Sequence, residues 1–442
     1  QGSQNATALP LLESTAREGW DEVFSIWLDE DGREERKMTF GQVWEESGSV
    51  VGLLDTLGMV KGDRAILLYM PGLEFLVSFL GCLRAGVVAV PLYPPLPNKL
   101  ERSLTGLQRV VASVSPKAVL CDSSVRQLKQ LDSLRPLSKS RSKWPKCPML
   151  STTGIHKKRK SDPMADVGPG SYPRQVRGTD LAFIQFTSGS TNDPKGVMVL
   201  HSNLVHNINA LHSSFLEWMD TVKDPKARIK GVSWLPQYHD MGLISAYMMP
   251  LAHGFSMVHM SPLTFLRNPA IWLQSISKYQ AHTSVAPDFS LALVARKWDH
   301  KKHGKNMDLR PLVGIACSSE PIRTSSFEAF YAKLERYGLR RNCLVPTYGL
   351  AEHVVFVGVD MTPSGPRENS YRTSRASPGI VCVARGASTL SRDIVVRVVD
   401  PETRREAAEG VVGEVWVSSP STSPGYWRNP ELTAEAFGAQ IE

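Results

Sequence analysis

The stretch Leu181-Ala182-Phe183-Ile184-Gln185-Phe186-Thr187-Ser188-Gly189-Ser190-Thr191-Asn192-Asp193-Pro194-Lys195-Gly196-Val197-Met198-Val199-Leu200 decides how this chain is read. Leu181 to Phe186 is an apolar run of strand length, and Val197 to Leu200 resumes strand character after a polar turn. Between them, Thr187 to Gly196 crowds four hydroxyls, two glycines and a lysine into ten residues. Such a loop suits a polyphosphate, because glycines let the main chain approach, N–H and hydroxyl groups donate, and Lys195 supplies positive charge. Charge-assisted hydrogen bonds contribute ~1.5–3 kcal/mol each, so several together hold a triphosphate against water. The GxxxxGK[ST] pattern is absent and the next segment is a strand instead of a helix, which excludes a Walker loop. An ordinary Ser/Gly hairpin shares the composition, but not the order TSGSTxxPKG.

Helix and strand alternate outward from this loop. Thr39 to Thr56 has the pattern of an amphipathic helix, and Asp63 to Leu68 that of a buried strand after a Lys61-Gly62 turn. Leu73, Leu76, Val77, Leu80 and Leu83 recur with helical spacing, and Gly86 to Val90 is again strand until prolines stop it. Beyond the loop come a helix from about Ser202, a strand near Gly231 to Trp234, a helix over 268–279, and strands over 283–286 and 313–317. This alternation predicts parallel sheet covered by helices. From about Ile380 the helices vanish, and Ile394 to Val399 and Gly413 to Val417 alternate as strands. The expected class is α/β: two doubly wound subdomains over 1–178 and 179–379, and a small β-barrel-like subdomain over 380–442.

Of 442 residues, 42% are hydrophobic and 21% charged, which excludes disorder, collagen or coiled coil as a description of the whole chain. The most apolar stretch, Leu73 to Pro97, contains Glu74 and Arg84 and is broken by Pro91, Pro94 and Pro95, so no membrane span is expected. Six cysteines stand 26 or more residues apart, without CxxC metal spacing or a dense disulfide framework, and a reducing, cytoplasmic setting is the expectation. The net charge of +8 is concentrated in residues 133–178, which hold eleven Lys or Arg against two Asp. With six prolines and seven serines, that segment reads as a solvated linker or surface loop instead of a nucleic-acid patch.

Two further motifs join the loop: Tyr348-Gly349-Leu350-Ala351-Glu352, and Gly413-Glu414-Val415-Trp416-Val417 with Gly425-Tyr426-Trp427. In these three ordered motifs the chain resembles the adenylate-forming superfamily of acyl-CoA synthetases, luciferases and peptide-synthetase adenylation domains. It resembles fatty acyl-AMP ligases in particular at Ala89-Val90-Pro91-Leu92-Tyr93-Pro94-Pro95, at Trp234-Leu235-Pro236-Gln237-Tyr238-His239-Asp240-Met241-Gly242-Leu243-Ile244, and in having YGLAE for the commoner YGxTE. Extra residues between strands 283–286 and 313–317, including Ala295 to Lys302, are similar to an insertion thought to hinder use of free CoA in that class. The resemblance implies ATP-dependent activation of a medium or long fatty acid to acyl-AMP, with Mg²⁺, followed by transfer to the phosphopantetheine thiol of an acyl-carrier protein. An acyl-CoA synthetase and a non-catalytic adenylate- or lipid-binding module of the same fold are the alternatives.

The resemblance also implies roles. Thr187, Ser188, Gly189, Ser190, Thr191 and Lys195 would hold phosphates, and Ser318, Ser319, Glu320 and Pro321 would form the adenine wall. Tyr348 would stack on adenine, with Thr347, Gly349, Leu350 and Ala351 around the nucleotide, while Glu352 and Thr191 would hold Mg²⁺. His239, Asp240, Met241, Ala286 and Asp288 would lie beside the acyl group, and Lys195, His239 and Glu352 would be the catalytic set. Ser318-Ser319 stands where the family usually has Gly-Ala, and Asn192 and His353 also depart from its pattern. His201 and His206, five apart, miss zinc spacing and read as exposed. Met248, Met249, Met257 and Met260 suit either core packing or an acyl tunnel. The superfamily continues past GYW into a ribose-binding Thr-Gly-Asp stretch, a hinge and a small domain carrying a catalytic lysine, whereas this sequence ends at Glu442. A large, monomeric N-terminal part that binds acyl-AMP but adenylates slowly by itself is therefore expected.

Overall fold

Thr39 shows how locally the elements are set. Its hydroxyl accepts the Gln42 N–H at 3.1 Å while the Gln42 side chain accepts the Thr39 N–H at 2.9 Å. This capping box satisfies two orphan donors and opens a helix at Phe40. The computed structural model describes residues 6–134, 143–155, 175–187, 194–219, 228–359 and 393–442.

The first part of the chain supplies α1 (Leu9–Glu18), β1 (Val23–Leu28), β2 (Glu34–Thr39), α2 (Phe40–Thr56), β3 (Arg64–Leu68), α3 (Leu73–Ala85), β4 (Val88–Leu92), α4 (Leu100–Val114), β5 (Ala118–Cys121), α5 (Ser123–Ser133), β6 (Met149–Ser151), β7 (Leu181–Thr187) and β8 (Lys195–Leu200). Next come α6 (His201–Met219), β9 (Lys230–Ser233), a π-helix (Met241–Met248) running into α7 (Met249–His253), β10 (Ser256–Met260), α8 (Pro262–Arg267) and α9 (Ala270–Lys278). They are followed by β11 (Thr283–Pro287), α10 (Asp288–Lys297), α11 (His300–His303), β12 (Gly314–Ser318), α12 (Thr324–Leu334), β13 (Leu344–Tyr348) and β14 (Gly358–Val359). The last elements are β15 (Val395–Val399), β16 (Glu414–Ser418) and α13 (Pro430–Phe437).

Six strands form one sheet in the order β6-β5-β3-β4-β7-β8, parallel but for the β7–β8 hairpin. Eight form the other, β14-β13-β12-β11-β9-β10-β1-β2, parallel but for its two edge strands. Side chains alternate across a strand. On β3, Ile66 and Leu68 therefore pack with Leu104 and Val110 of α4, while Ala65 and Leu67 pack with Val51, Leu76 and Phe79 of α2 and α3. On β10, Val258 and Met260 pack with Phe265, Trp272 and Phe330, whereas Met257 joins Ile208 and Leu251 of α6 and α7. The result is five layers, α/β/α/β/α, with one helix layer shared between the sheets. Sheets covered on both faces explain the uninterrupted apolar runs of β3 and β5.

Sheet membership crosses the expected 178/179 boundary in both directions. β1 joins the second sheet by pairing with β10, and β7 and β8 complete the first by pairing with β4. Helix-strand alternation fixes the order of elements along the chain, but not which strands become neighbours. Part of the basic segment is also not linker. Trp144 is buried and donates to Asp132 at 3.0 Å, and β6 pairs with β5. Residues 135–142 and 156–174, with the KKRK run, lie outside the described residues. Helix does not end at Ile380 either: Asn429 caps α13 by accepting the Leu432 N–H at 3.1 Å, and Pro430 occupies its first turn. Of the β-rich end, β15 and β16 form a two-stranded antiparallel sheet, and residues 380–392 lie outside the described residues. No described helix is long and apolar enough to cross a membrane.

Candidate active site

The β7–β8 hairpin pairs Thr187 with Lys195, so the two flanks of the Ser/Gly loop stand side by side. Ser188, Gly189, Ser190, Thr191 and Asn192 lie outside the described residues. Gly196 is required by packing, since a Cβ there would sit 2.9 Å from Ile184 Cγ2 and 3.0 Å from the Phe186 ring. The Gly425-Tyr426-Trp427 segment runs along β8: the Met198 N–H donates to Gly425 O at 3.0 Å and the Trp427 N–H to Gly196 O at 2.7 Å. Tyr426 is thereby aimed at two other motifs. Its hydroxyl donates to Glu352 Oε1 at 2.6 Å, and Lys195 Nζ lies 5.6 Å from its ring centroid. Lys195 and Glu352 thus flank one tyrosine.

Glu352 rides on a single 3₁₀ turn, Ala351–His353, after β13. The loop then doubles back so tightly that a Cβ on Gly349 would fall 1.6 Å from Val355 O. Val354 has φ 66° and ψ −65°, and the Val355 N–H reaches His353 O at 2.8 Å. This is a three-residue turn of the strained hand, held by a β-branched residue. Strain of this kind persists only where the surroundings over-determine it, and here they do. Asn207 donates to His353 O at 3.0 Å and to Phe356 O at 2.9 Å. The His353 Nδ1–H donates to Phe356 O at 2.7 Å, and Nε2 is left to accept from the Ser419 hydroxyl. Burial brings the His353 pKa down to about 4, so it is a neutral latch between the Glu352 loop and the β16 end.

On the neighbouring strand end, Ser318 to Pro321 follow β12. Thr347 Oγ1 donates to Cys317 O at 3.0 Å and fixes the end of β13 against it, with Tyr348 42% exposed beside the gap. Ser319 takes φ 74°, a left-handed conformation where the family pattern has alanine, and its hydroxyl donates to Met241 Sδ at 2.8 Å. Glu320 accepts the Phe289 N–H at 2.7 Å.

His239 precedes the π-helix, an i→i+5 form that concentrates at functional sites. Its side chain is 55% exposed, and Nδ1 lies 2.6 Å from Asp240 Oδ1. That hydrogen bond raises the imidazole pKa above its usual value. Gly242 permits the fold-back, since a Cβ there would lie 2.1 Å from Pro236 O. Gln237 ties this segment to the first sheet, accepting the Gly72 N–H at 2.9 Å and donating to Met70 O at 3.0 Å.

Two apolar cavities open here. The narrower, about 80 Å³, runs from Ser318, Thr347 and Tyr348 inward past Met257, Met249 and Phe215. The wider, about 450 Å³, is lined by Tyr93, Trp234, Tyr238, His239, Leu263 and Phe289, with Ser319 and Glu320 at one wall. Met241 is the residue they share. Of the four methionines, Met249 and Met257 line the narrow cavity, whereas Met248 and Met260 are buried in core clusters.

Ala286 and Asp288 line neither cavity. Ala286 belongs to the core between β11 and the outer helices. Asp288 is fully buried and accepts from the Arg323 N–H at 2.9 Å, Arg323 Nη1 at 3.1 Å and Ser326 Oγ at 2.9 Å, tying α10 to α12. Val285 and Pro287 of β11 and Phe289 of α10 reach the cavities in their place. His201 is not exposed but 1% accessible, with a pKa lowered to about 4 by burial, and His206 is half-buried with Nδ1 2.6 Å from Ser421 Oγ. α6 leaves Asn209, Ser213 and Leu216 exposed, but His201, at its first residue, is buried. The segment Ala295 to Lys302 folds into the outer layer, with Trp298 buried against Tyr337 and His300 Nδ1 2.8 Å from the Tyr337 hydroxyl.

Among the described residues, no three or more His, Cys, Asp or Glu cluster to hold a metal by themselves. A single carboxylate, Glu352, across Tyr426 from Lys195 fits a hard cation shared with phosphate oxygens, the arrangement Mg²⁺ prefers. Tyr426 was the neighbour of Glu352 least visible in sequence: GYW reads as a structural motif, and only its pairing with β8 brings the hydroxyl to Glu352.

The AMP-binding enzyme family matches residues 12–427. The chain is similar to the medium-chain-fatty-acid–[acyl-carrier-protein] ligase JamA of Moorena producens, with 32% identity over 394 residues that cover 86% of this chain and 63% of JamA. It thus spans less than two thirds of that relative's length. Among solved structures it is similar to the fatty acid AMP ligase of Legionella pneumophila, with a TM-score of 0.82 and 32% identity, over 99% of this chain and 72% of that one. It is equally similar to the L. pneumophila fatty acyl-adenylate ligase in complex with acyl adenylate and pyrophosphate, with a TM-score of 0.81 and 32% identity, over 98% and 72%.

Proposed function

The chain belongs to the AMP-binding enzymes, and from that membership we propose that it is the nucleotide- and acyl-binding part of a ligase that activates a medium or long fatty acid as acyl-AMP for an acyl-carrier protein. The observation that carries this is the meeting of Lys195, Tyr426 and Glu352 at the end of the sheet where Tyr348 and the Ser318 wall open into an apolar cavity.

In the reaction, a fatty-acid carboxylate oxygen bonds to the α-phosphorus of ATP, the bond to the bridging oxygen breaks, and pyrophosphate leaves with that electron pair. No covalent bond to the protein forms, so the chain's work is positioning and charge neutralisation. Lys195 and the Thr187 flank take the phosphate side, and Tyr348 offers its exposed ring to adenine. Glu352 would hold Mg²⁺, which would supply charge neutralisation at the phosphates when bound. His239, its pKa raised by the hydrogen bond to Asp240, faces the fatty-acid carboxylate. The two apolar cavities, which meet at Met241, exclude water from the chain of the acid and reward methylene burial at ~0.8 kcal/mol each. The acceptor class follows from the likeness to JamA, whose name specifies an acyl-carrier protein.

The test is fatty-acid-dependent pyrophosphate release with MgATP across chain lengths, followed by transfer to a phosphopantetheinylated carrier or to free CoA. Release that depends on fatty acid and is abolished by Lys195→Ala or Glu352→Ala at unchanged melting temperature supports the reading. Release indifferent to both substitutions, or product formed on free CoA in preference to the carrier, overturns it.

A further inference from the structure

We infer that Tyr426 is a positioning residue, whose hydroxyl orients the Glu352 carboxylate toward Mg²⁺ and the nucleotide phosphates while its ring face keeps Lys195 alongside. The inference rests on the proposed ligase reading and adds to it a residue outside the phosphate loop and the YGLAE motif.

Tyr426 is mounted more firmly than either group it touches. Its own segment is pinned to β8 on both sides, through Gly425 O and the Trp427 N–H. The Tyr426 N–H donates to Thr433 Oγ1 at 2.9 Å, and the ring meets Phe437 edge-on at 5.3 Å, so α13 backs it from behind. Gly425 makes the approach possible: it has φ 138°, and a Cβ there would lie 2.2 Å from Thr433 Cγ2. At 6% exposure the tyrosine has one route for its hydroxyl, which ends on Glu352 Oε1 at 2.6 Å. No described residue donates to Glu352 Oε2, which leaves that oxygen for a cation. Glu352 sits on a one-turn helix, and Lys195 at the edge of a loop; each is long and flexible, and each gains a fixed neighbour in Tyr426. Donors that orient a metal-binding carboxylate are worth 10–100-fold, order of magnitude, in metal affinity. A ring face holds an ammonium more weakly.

Tyr426→Phe separates these roles from packing, because it keeps the ring, the Phe437 contact and the Lys195 face and removes only the hydroxyl. The measurement is ATP binding by calorimetry, with Mg²⁺ and again with EDTA, for the unsubstituted chain, Tyr426→Phe, Glu352→Gln and the double variant. We expect Tyr426→Phe to weaken ATP about tenfold with Mg²⁺ and not at all in EDTA, at unchanged melting temperature. The double variant should bind like Glu352→Gln alone, since the hydroxyl acts through that carboxylate. Equal binding by Tyr426→Phe and the unsubstituted chain in Mg²⁺, an equal loss in EDTA, or additive effects in the double variant would overturn the inference and leave the ligase reading standing. No ATP binding by the unsubstituted chain would remove that reading, and the inference with it.

Discussion

Gly349→Ala is the sharpest perturbation the active-site loop offers. A Cβ at this position falls 1.6 Å from Val355 O and 2.7 Å from its carbonyl carbon. Real Cβ atoms keep at least 3.0 Å from such a neighbour, so the two backbones must part by roughly 1.5 Å. Neither is free to do so. The Val355 N–H is bonded to His353 O at 2.8 Å, the Phe356 N–H to Asn207 Oδ1 at 3.1 Å, and the Val357 N–H to Tyr348 O at 3.0 Å. Overpacking costs about 1–3 kcal/mol. Breaking one buried backbone hydrogen bond adds about 1 kcal/mol, for about 2–4 kcal/mol in total. At ~2–4 °C per kcal/mol for a large domain, the melting temperature falls by about 4–16 °C. Tyr348 and Glu352 stand on either side of the displaced residue, so MgATP binding, measured at a temperature where the variant is folded, also falls. A Gly349→Ala protein that melts within about 1 °C of the parent and binds MgATP equally would show that the loop is not built this tightly.

Gly106→Ala is the opposite case: nothing lies within 4 Å of its Cβ position on α4, so the variant gains about 0.5–1 kcal/mol, read as a raised denaturation midpoint, and a loss would count against this helix packing. His201, His259 and His353 are each 1% exposed with pKa values lowered to about 4 from 6.5. The unfolded chain therefore binds more protons below pH 6.5, and stability falls as pH drops from 6.5 toward 4, by up to about 1.4 kcal/mol per pH unit for each histidine. A denaturation midpoint unchanged between pH 6.5 and 5 would contradict their burial. His239 is shifted the other way by Asp240, so Asp240→Asn lowers its titration midpoint in an NMR pH series, and an unmoved midpoint refutes that coupling. Met241→Ala joins the narrow and wide cavities and broadens the range of fatty-acid lengths accepted; an unchanged length profile would mean that Met241 does not limit the acyl site.

Sequence alone determined what depends on near neighbours in the chain. Thr39 and Gln42 cap a helix three residues apart in sequence, the runs at Arg64–Leu68 and Val88–Leu92 are strands because apolar and β-branched residues follow one another, and Lys195 with its Ser/Gly loop reads as a phosphate site through composition and order. Tertiary structure decided everything that depends on which elements meet. β1 pairs with β10 and β7 with β4, so strands far apart in sequence share a sheet. His201, at the first residue of α6, is buried although its spacing looks exposed. Asp288 turns from the cavity to Arg323, and Tyr426 reaches Glu352 across 74 residues of chain. Periodicity reports which face of an element is apolar; it carries no information about which element covers that face. That choice is made by register and packing between distant segments, where one hydroxyl or one missing Cβ settles the geometry of the site.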